Sequence, residues 1–171
     1  MLEYKLMSRF LDYPDQELKS HLDEIELLLD DASLAEEERA ALRNFAAWLR
    51  QEDLTELQAA YVQTFDLTPE HSLHLTHHLF GDDKNRGPAL IDLTEYYKEF
   101  GLETPENELP DFLPLILEFV STLEPEGAAV FLHDTAKVLK VLAANLEKAE
   151  SPYAPLLRIV ESRGDLARLA A

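Results

Sequence analysis

Apolar residues recur every three or four positions along almost the whole chain, the period of one face of an α-helix. Leu2, Leu6, Met7, Phe10 and Leu11 form a first stripe. Pro14 ends it, because proline offers no N–H to a preceding turn. Leu18, Leu22, Ile25 and Leu29 form a second stripe. Ser33-Leu-Ala-Glu36 has capping-box spacing and predicts the start of a helix burying Leu42, Phe45 and Leu49. Asp53 is placed to cap a helix carrying Leu54, Leu57, Tyr61 and Phe65. Thr68-Pro69 predicts another helix start, with a helix over 69–80 stopped by Gly81 and followed by a polar loop from Asp82 to Gly87.

The same period continues. Ala89, Leu93, Tyr96 and Phe100 mark one helix, stopped by Gly101. Leu113, Ile116, Leu117, Val120 and Leu123 mark the next, and Leu132, Leu139, Leu142 and Leu146 the one after. Pro155 to Leu169 gives a last amphipathic segment. No stretch alternates with period two and no Asn-Gly hairpin turn occurs. The expectation is an all-α, single-domain bundle of eight or nine helices over residues 1–171, with no linker or internal repeat.

Composition narrows the function. Fifteen basic against 34 acidic residues give a formal charge of −19. Nucleic acid and anionic membrane surfaces want the opposite sign, so neither is an expected partner, whereas an arginine-bearing peptide is compatible. The absence of cysteine removes disulfides, thiolate catalysis and iron–sulfur ligation. No apolar run reaches the roughly 20 residues of a membrane span, and the N-terminus lacks a signal-peptide core, so the expected location is cytoplasmic.

The candidate chemistry lies in HSLHLTHHLFGDDKNRG, residues 71–87, which holds four of the six histidines. On an ideal helix His71, His74 and His78 fall within roughly 60° of one another, while His77 points away. A His/carboxylate metal site with hydrolytic activity is one reading, but H-E-x-x-H is absent and one helix rarely turns three ligands onto one ion. Leu75 and Leu79 on one side, with Leu73 and Phe80 on another, favour a helix wedged among others. Ser72 next to His71 makes no triad, because adjacent side chains diverge. No nucleophile elbow or phosphate loop is present.

In ELPDFLPLILEF, residues 108–119, Pro110 and Pro114 stand four apart, so the chain should enter its helix through a kinked or extended turn. Glu108 and Asp111 there read equally as helix-start residues or as a shaped acidic mouth.

YVQTFD, SLHLTHHLFGDDKNRG, the following ALIDL and ELPDFLPLILEF, in that order, resemble the respiratory nitrate reductase assembly chaperones. These are the so-called delta-subunit proteins of the NarJ type within the TorD-like group. SRFLDYP and ESPYAPLL resemble the same family, so the likeness covers most of the chain. The resemblance implies an all-helical, cytoplasmic, non-enzymatic chaperone that holds no cofactor or metal of its own. It implies binding of the N-terminal segment of the molybdenum-containing catalytic subunit. It also implies help with inserting the molybdopterin guanine dinucleotide cofactor and an iron–sulfur cluster before membrane docking. Contact with cofactor-delivery proteins stays open.

By the resemblance, Tyr61, Phe65, Asp66, His74, His78, Arg86, Glu108, Pro110, Asp111 and Phe112 are expected at the peptide site. Ser72, Gly81, Gly87, Asp92, Leu109 and Pro114 are expected to shape it. The chain departs from the usual pattern at Thr76 (Phe in the family), His77 (Glu), Phe80 (His) and Phe112 (His), and His71 has no match. Members often run on beyond the equivalent of residue 171. The expected mechanism is a helical peptide in a groove lined by Tyr61, Phe65, Leu75, Leu79 and Phe112, with Asp66, Glu108 and Asp111 at the rim facing basic residues. Arg86 and Gly87 are expected to order the loop or meet Asp92. A passive adaptor is the remaining alternative.

Overall fold

The computed structural model describes the backbone of residues 1–170 and the side chains of residues 1–164. Ten α-helices carry the described chain: α1 Leu2–Leu11, α2 Gln16–Ser20, α3 Leu22–Asp31, α4 Glu36–Gln51, α5 Leu54–Tyr61, α6 Leu75–Phe80, α7 Arg86–Glu99, α8 Leu113–Thr122, α9 Pro125–Lys148 and α10 Ala154–Ala170. The all-α expectation holds. The extra helix arises because the second stripe breaks at His21, whose backbone leaves the helical region and whose ring Nδ1 donates to the Glu17 carbonyl. Among the described residues no helix is long and apolar enough to cross a membrane.

The stripes locate the core. Leu6, Met7, Phe10 and Leu11 of α1 are buried, mainly against α8. The Ser8 hydroxyl also donates to the Pro114 carbonyl at 2.6 Å. α9 and α10 form the most extensive helix pair. Gly164 makes that closeness possible, since a Cβ there would stand 2.7 Å from the Leu132 carbonyl oxygen. The last amphipathic segment is thus helical. Its side chains from residue 165 on lie outside the described residues.

Asp53 caps α5 as expected, accepting from the Thr55 N–H at 3.1 Å. The Ser33–Glu36 capping box does not form. α4 starts two residues later at an Ala35 N-cap, whose N–H donates to Glu38 Oε2 at 2.9 Å. Only the carboxylate half of the box is possible, because alanine brings no side-chain acceptor.

The largest departure concerns residues 69–80. In place of one helix, a 3₁₀ turn at Pro69–His71 gives way to extended backbone and then to the short α6. His74 pairs with Phe112 in an isolated antiparallel bridge. The Leu75 N–H donates to the Asp111 carbonyl at 3.1 Å, and the Leu73 carbonyl accepts from the Leu113 N–H at 2.9 Å. Backbone groups that a helix would have satisfied internally are claimed by a segment some forty residues away. Gly81 (φ 54°) and Gly101 (φ 76°) end α6 and α7 in a region that only glycine adopts freely. The polar loop is shorter than expected, since α7 already begins at Arg86 and takes Gly87 into its first turn. α8 begins at Leu113, so Pro114 sits in its first turn without harm, and Pro110 precedes the helix in the extended entry.

Candidate functional site

The two quoted stretches meet on each other, and the residue that joins them is Asp111. Its side chain is 1% exposed. One carboxylate oxygen accepts from the Thr76 N–H at 3.0 Å and from the Thr76 hydroxyl at 2.5 Å. The other accepts from His74 Nδ1 at 3.2 Å. The Thr76 hydroxyl in turn accepts from Arg86 Nε at 3.0 Å, and the Arg86 guanidinium lies 3.9 Å from Asp111. Asp111 thereby caps α6 and ties it to the start of α7. Further along α7, the Tyr97 hydroxyl donates to the Pro110 carbonyl at 2.7 Å. The Pro110–Phe112 turn thus holds α7 at two points. Sequence reasoning missed Thr76 and Tyr97, since nothing local marks a hydroxyl that bonds across the fold.

Of the four histidines in residues 71–78, His71, His74 and His78 each hydrogen-bond the protein through a ring nitrogen, and His77 meets the His78 ring edge-on. His71 Nδ1 donates at 3.0 Å to the Thr64 carbonyl, within the π-helical turn Val62–Asp66. His78 Nε2 donates at 2.7 Å to the Ser72 carbonyl. The His74 ring stacks on Phe112, with centroids 5.2 Å apart. The Ser72 hydroxyl accepts the His74 N–H. Among the described residues, no three His, Cys, Asp or Glu side chains converge as a metal site.

Several expected site residues stand elsewhere than the groove reading placed them. Tyr61 and Phe65, 4% and 5% exposed, are core residues, and Leu75 is buried with them. The Tyr61 hydroxyl donates to the Leu11 carbonyl. Phe65 and Tyr61 pack edge-on against Tyr153. Aromatic residues spaced along one helix face gain most by burial, and here burial wins. Asp111 is no rim residue, having turned inward to cap α6. Arg86 reaches Thr76 and Asp111 in place of Asp92, which stands exposed on α7. Pro110 is buried, while Asp66, Leu79 and Leu109 are exposed.

Glu108 and Phe112 remain accessible at the junction. They border a cleft of about 310 Å³ that Asp12, Glu118 and Leu115 also line. Glu108 lies 3.9 Å from His74 Nε2. The cleft combines three carboxylates with an aromatic face, which suits a basic side chain with an apolar stem.

Burial by itself would raise the Asp111 pKa. The hydrogen bonds from His74 and Thr76 outweigh it, and the carboxyl titrates below its ordinary range. Burial lowers the pKa of His78, outweighing its bond to Ser72. Both depressed values have the same consequence. The unfolded chain takes up protons first, so stability is lost on acidification. The His78 contribution is complete above about pH 6.5 and declines below it, and the Asp111 contribution declines below about pH 3.9. Thermal melts from neutral to mildly acid pH should therefore show a falling midpoint that His78→Gln flattens. A parallel fall in the variant would rule out His78 as the source.

A family model described as nitrate reductase delta subunit matches residues 31–158. The chain is 37% identical over 161 residues to the nitrate reductase molybdenum cofactor assembly chaperone NarJ of Escherichia coli K12, covering 94% of this chain and 68% of that protein. It is 32% identical over 161 residues to the probable chaperone of the same name from Bacillus subtilis 168, covering 93% and 86%. It is 35% identical over 118 residues to the nitrate reductase-like protein NarX of Mycobacterium tuberculosis H37Rv, covering 69% of this chain and 18% of that one. With three quarters of its length inside the family match and long alignments at this identity, the chain belongs to the nitrate reductase delta subunit family.

Proposed function

We propose that the chain is a cytoplasmic, non-enzymatic assembly chaperone that binds the N-terminal segment of a respiratory nitrate reductase catalytic subunit. It holds that subunit while the molybdenum cofactor and an iron–sulfur cluster are inserted. The cofactor is cargo of the partner and not a resident group of this chain. The family match and the assembly role in the relatives' names support the reading. The observation that carries it is the junction itself. The two stretches dock through Asp111 and leave Glu108 and Phe112 at an acidic cleft beside His74.

The charge of −19 suits a basic client segment, and carboxylates at a rim speed encounter and set specificity more than affinity. Ordering a flexible segment costs entropy, which keeps binding releasable, as a chaperone requires. Calorimetry with a synthetic N-terminal peptide of the catalytic subunit should give a heat of binding, and Glu108→Lys should weaken it by roughly threefold to tenfold with a shallower salt dependence. No heat from the wild-type protein across about pH 6 to 8 would remove the reading.

A further inference from the structure

Helix α7 is thinly anchored for its length. Of its 14 residues only Tyr97 is buried, whereas the 10-residue α8 buries seven. Its hold on the bundle passes mainly through one side chain. Tyr96, Tyr97 and Phe100 all pack on Phe119 of α8, with centroids 5.6, 4.7 and 5.4 Å away. Tyr96 also lies parallel to Phe131 of α9. Two polar tethers complete the attachment: Arg86 to the Thr76 hydroxyl at one end, and the Tyr97 hydroxyl to the Pro110 carbonyl toward the other.

The segment has little helical stability of its own. Its N-cap, Asn85, makes no side-chain cap bond. Gly87, Ile91, Asp92, Thr94, Tyr96 and Tyr97 all rank low in helix propensity. Its one internal ion pair, Lys98 to Glu95, is solvent-exposed and adds little. A free helix of this length is marginal in water, so α7 stays folded only while it is docked. It lies between the turn at 81–85 and residues 101–112, which form no helix. Its unfolding therefore pulls on no neighbouring helix in the chain.

We infer that α7 is an order–disorder switch, in which residues 86–99 melt as a unit while the rest of the bundle stays folded. Both tethers end at the junction, Arg86 on Thr76 beside Asp111 and Tyr97 on Pro110. The position of the 110–112 turn thus sets the folded fraction of α7. Melting uncovers Phe119, which is 1% exposed while α7 is docked. Phe119 and Tyr97 border a small cavity with Leu115 and Glu118, and those last two also line the acidic cleft of Glu108 and Phe112. With α7 melted, cavity and cleft form one continuous face, apolar at Phe119 and acidic at Glu108.

Native-state amide exchange, followed by mass spectrometry on the full-length protein and three variants, tests the inference. The amides of residues 90–99 should exchange at a common rate, about a hundredfold or more faster than the slowest amides of α4. Tyr97→Phe keeps the ring and removes a tether, and should speed this block roughly threefold to tenfold. Gly87→Ala sits on the exposed first turn, where a Cβ meets nothing within 4 Å, and should slow the block roughly threefold to fivefold through helix propensity alone. Ile25→Val, in the buried face of α3, should speed the slowest α4 amides roughly threefold to tenfold and leave the α7 block unchanged, because α7 opens without unfolding α3. Acceleration of α7 and α4 by the same factor in Ile25→Val would show that α7 opens only with the whole molecule, and would overturn the inference. Protection of α7 equal to that of α4 would do the same. Rates graded inward from residue 99, with Tyr97→Phe moving only the last turn, would reduce the effect to end fraying and overturn the unit.

Discussion

Asp111→Ala is expected to lower unfolding stability by roughly 2–4 kcal/mol, read as a shift of the urea midpoint at neutral pH. The substitution removes the acceptor of three hydrogen bonds, from the Thr76 N–H, the Thr76 hydroxyl and His74 Nδ1. The Thr76 N–H is buried, and an abandoned buried donor costs more than the net value of the bond it loses. Arg86, with 28% of its side chain exposed, recovers part of its loss by turning to water, so the cost stays below that of stranding a fully buried charge. Asp111→Asn keeps an acceptor for Thr76 and should cost about half as much. The damage should also travel. Amide exchange should accelerate through α6 and the first turns of α7, because the capped helix end and the Arg86 tether loosen together. A loss below about 0.5 kcal/mol would mean that the junction is solvated and does not hold the two stretches together.

Tyr153→Ala should be the most destabilising single change, roughly 3–5 kcal/mol. Tyr153 is 1% exposed, and four other rings surround it: Phe45, Trp48, Tyr61 and Phe65 lie with centroids between 4.8 and 5.9 Å away. Truncation leaves a cavity that these rings, held on α4, α5 and the π-helical turn, can fill only in part. The stability loss should come without a change in peptide affinity per folded molecule. Such a separation would confirm that Tyr61 and Phe65 act beneath the surface, as packing, and not as groove lining. A Tyr153→Ala protein of normal stability but lost peptide binding would reverse that assignment.

These two expectations follow from residues whose types were visible from the start but whose surroundings were not. Tyr61 and Phe65 belong to a quoted motif, and their helical spacing suited either a groove or a core. Burial at 4% and 5% decided for the core. Asp111 read as part of an acidic mouth, yet it faces inward, because the first turn of α6 offers N–H donors that a carboxylate satisfies better than water does. Glu108, three residues earlier in the same motif, does face the cleft. The histidine-rich stretch illustrates the same limit. Its helical wheel assumed one helix over 69–80, and the bridge from His74 to Phe112 breaks that helix in the middle. The ring positions drawn from the wheel therefore do not apply.

The helical class, the Asp53 cap, the glycine stops at residues 81 and 101, and the family are legible in the residue pattern alone. Each of these depends on neighbours within about one or two helical turns, or on residue identity alone. The packed fold sets which apolar stripe is covered and which stays partly open. Ala89, Leu93, Tyr96 and Phe100 carry the same pattern as the buried stripe of α1, but Phe119 of α8 and Phe131 of α9 cover this one in part and leave Tyr96 and Phe100 38% and 50% exposed. It likewise decided that Thr76 and Tyr97 bind across the fold to Asp111 and Pro110. Periodicity records that a face is apolar. What lies against that face depends on contacts between residues far apart in the chain, and no local pattern encodes them.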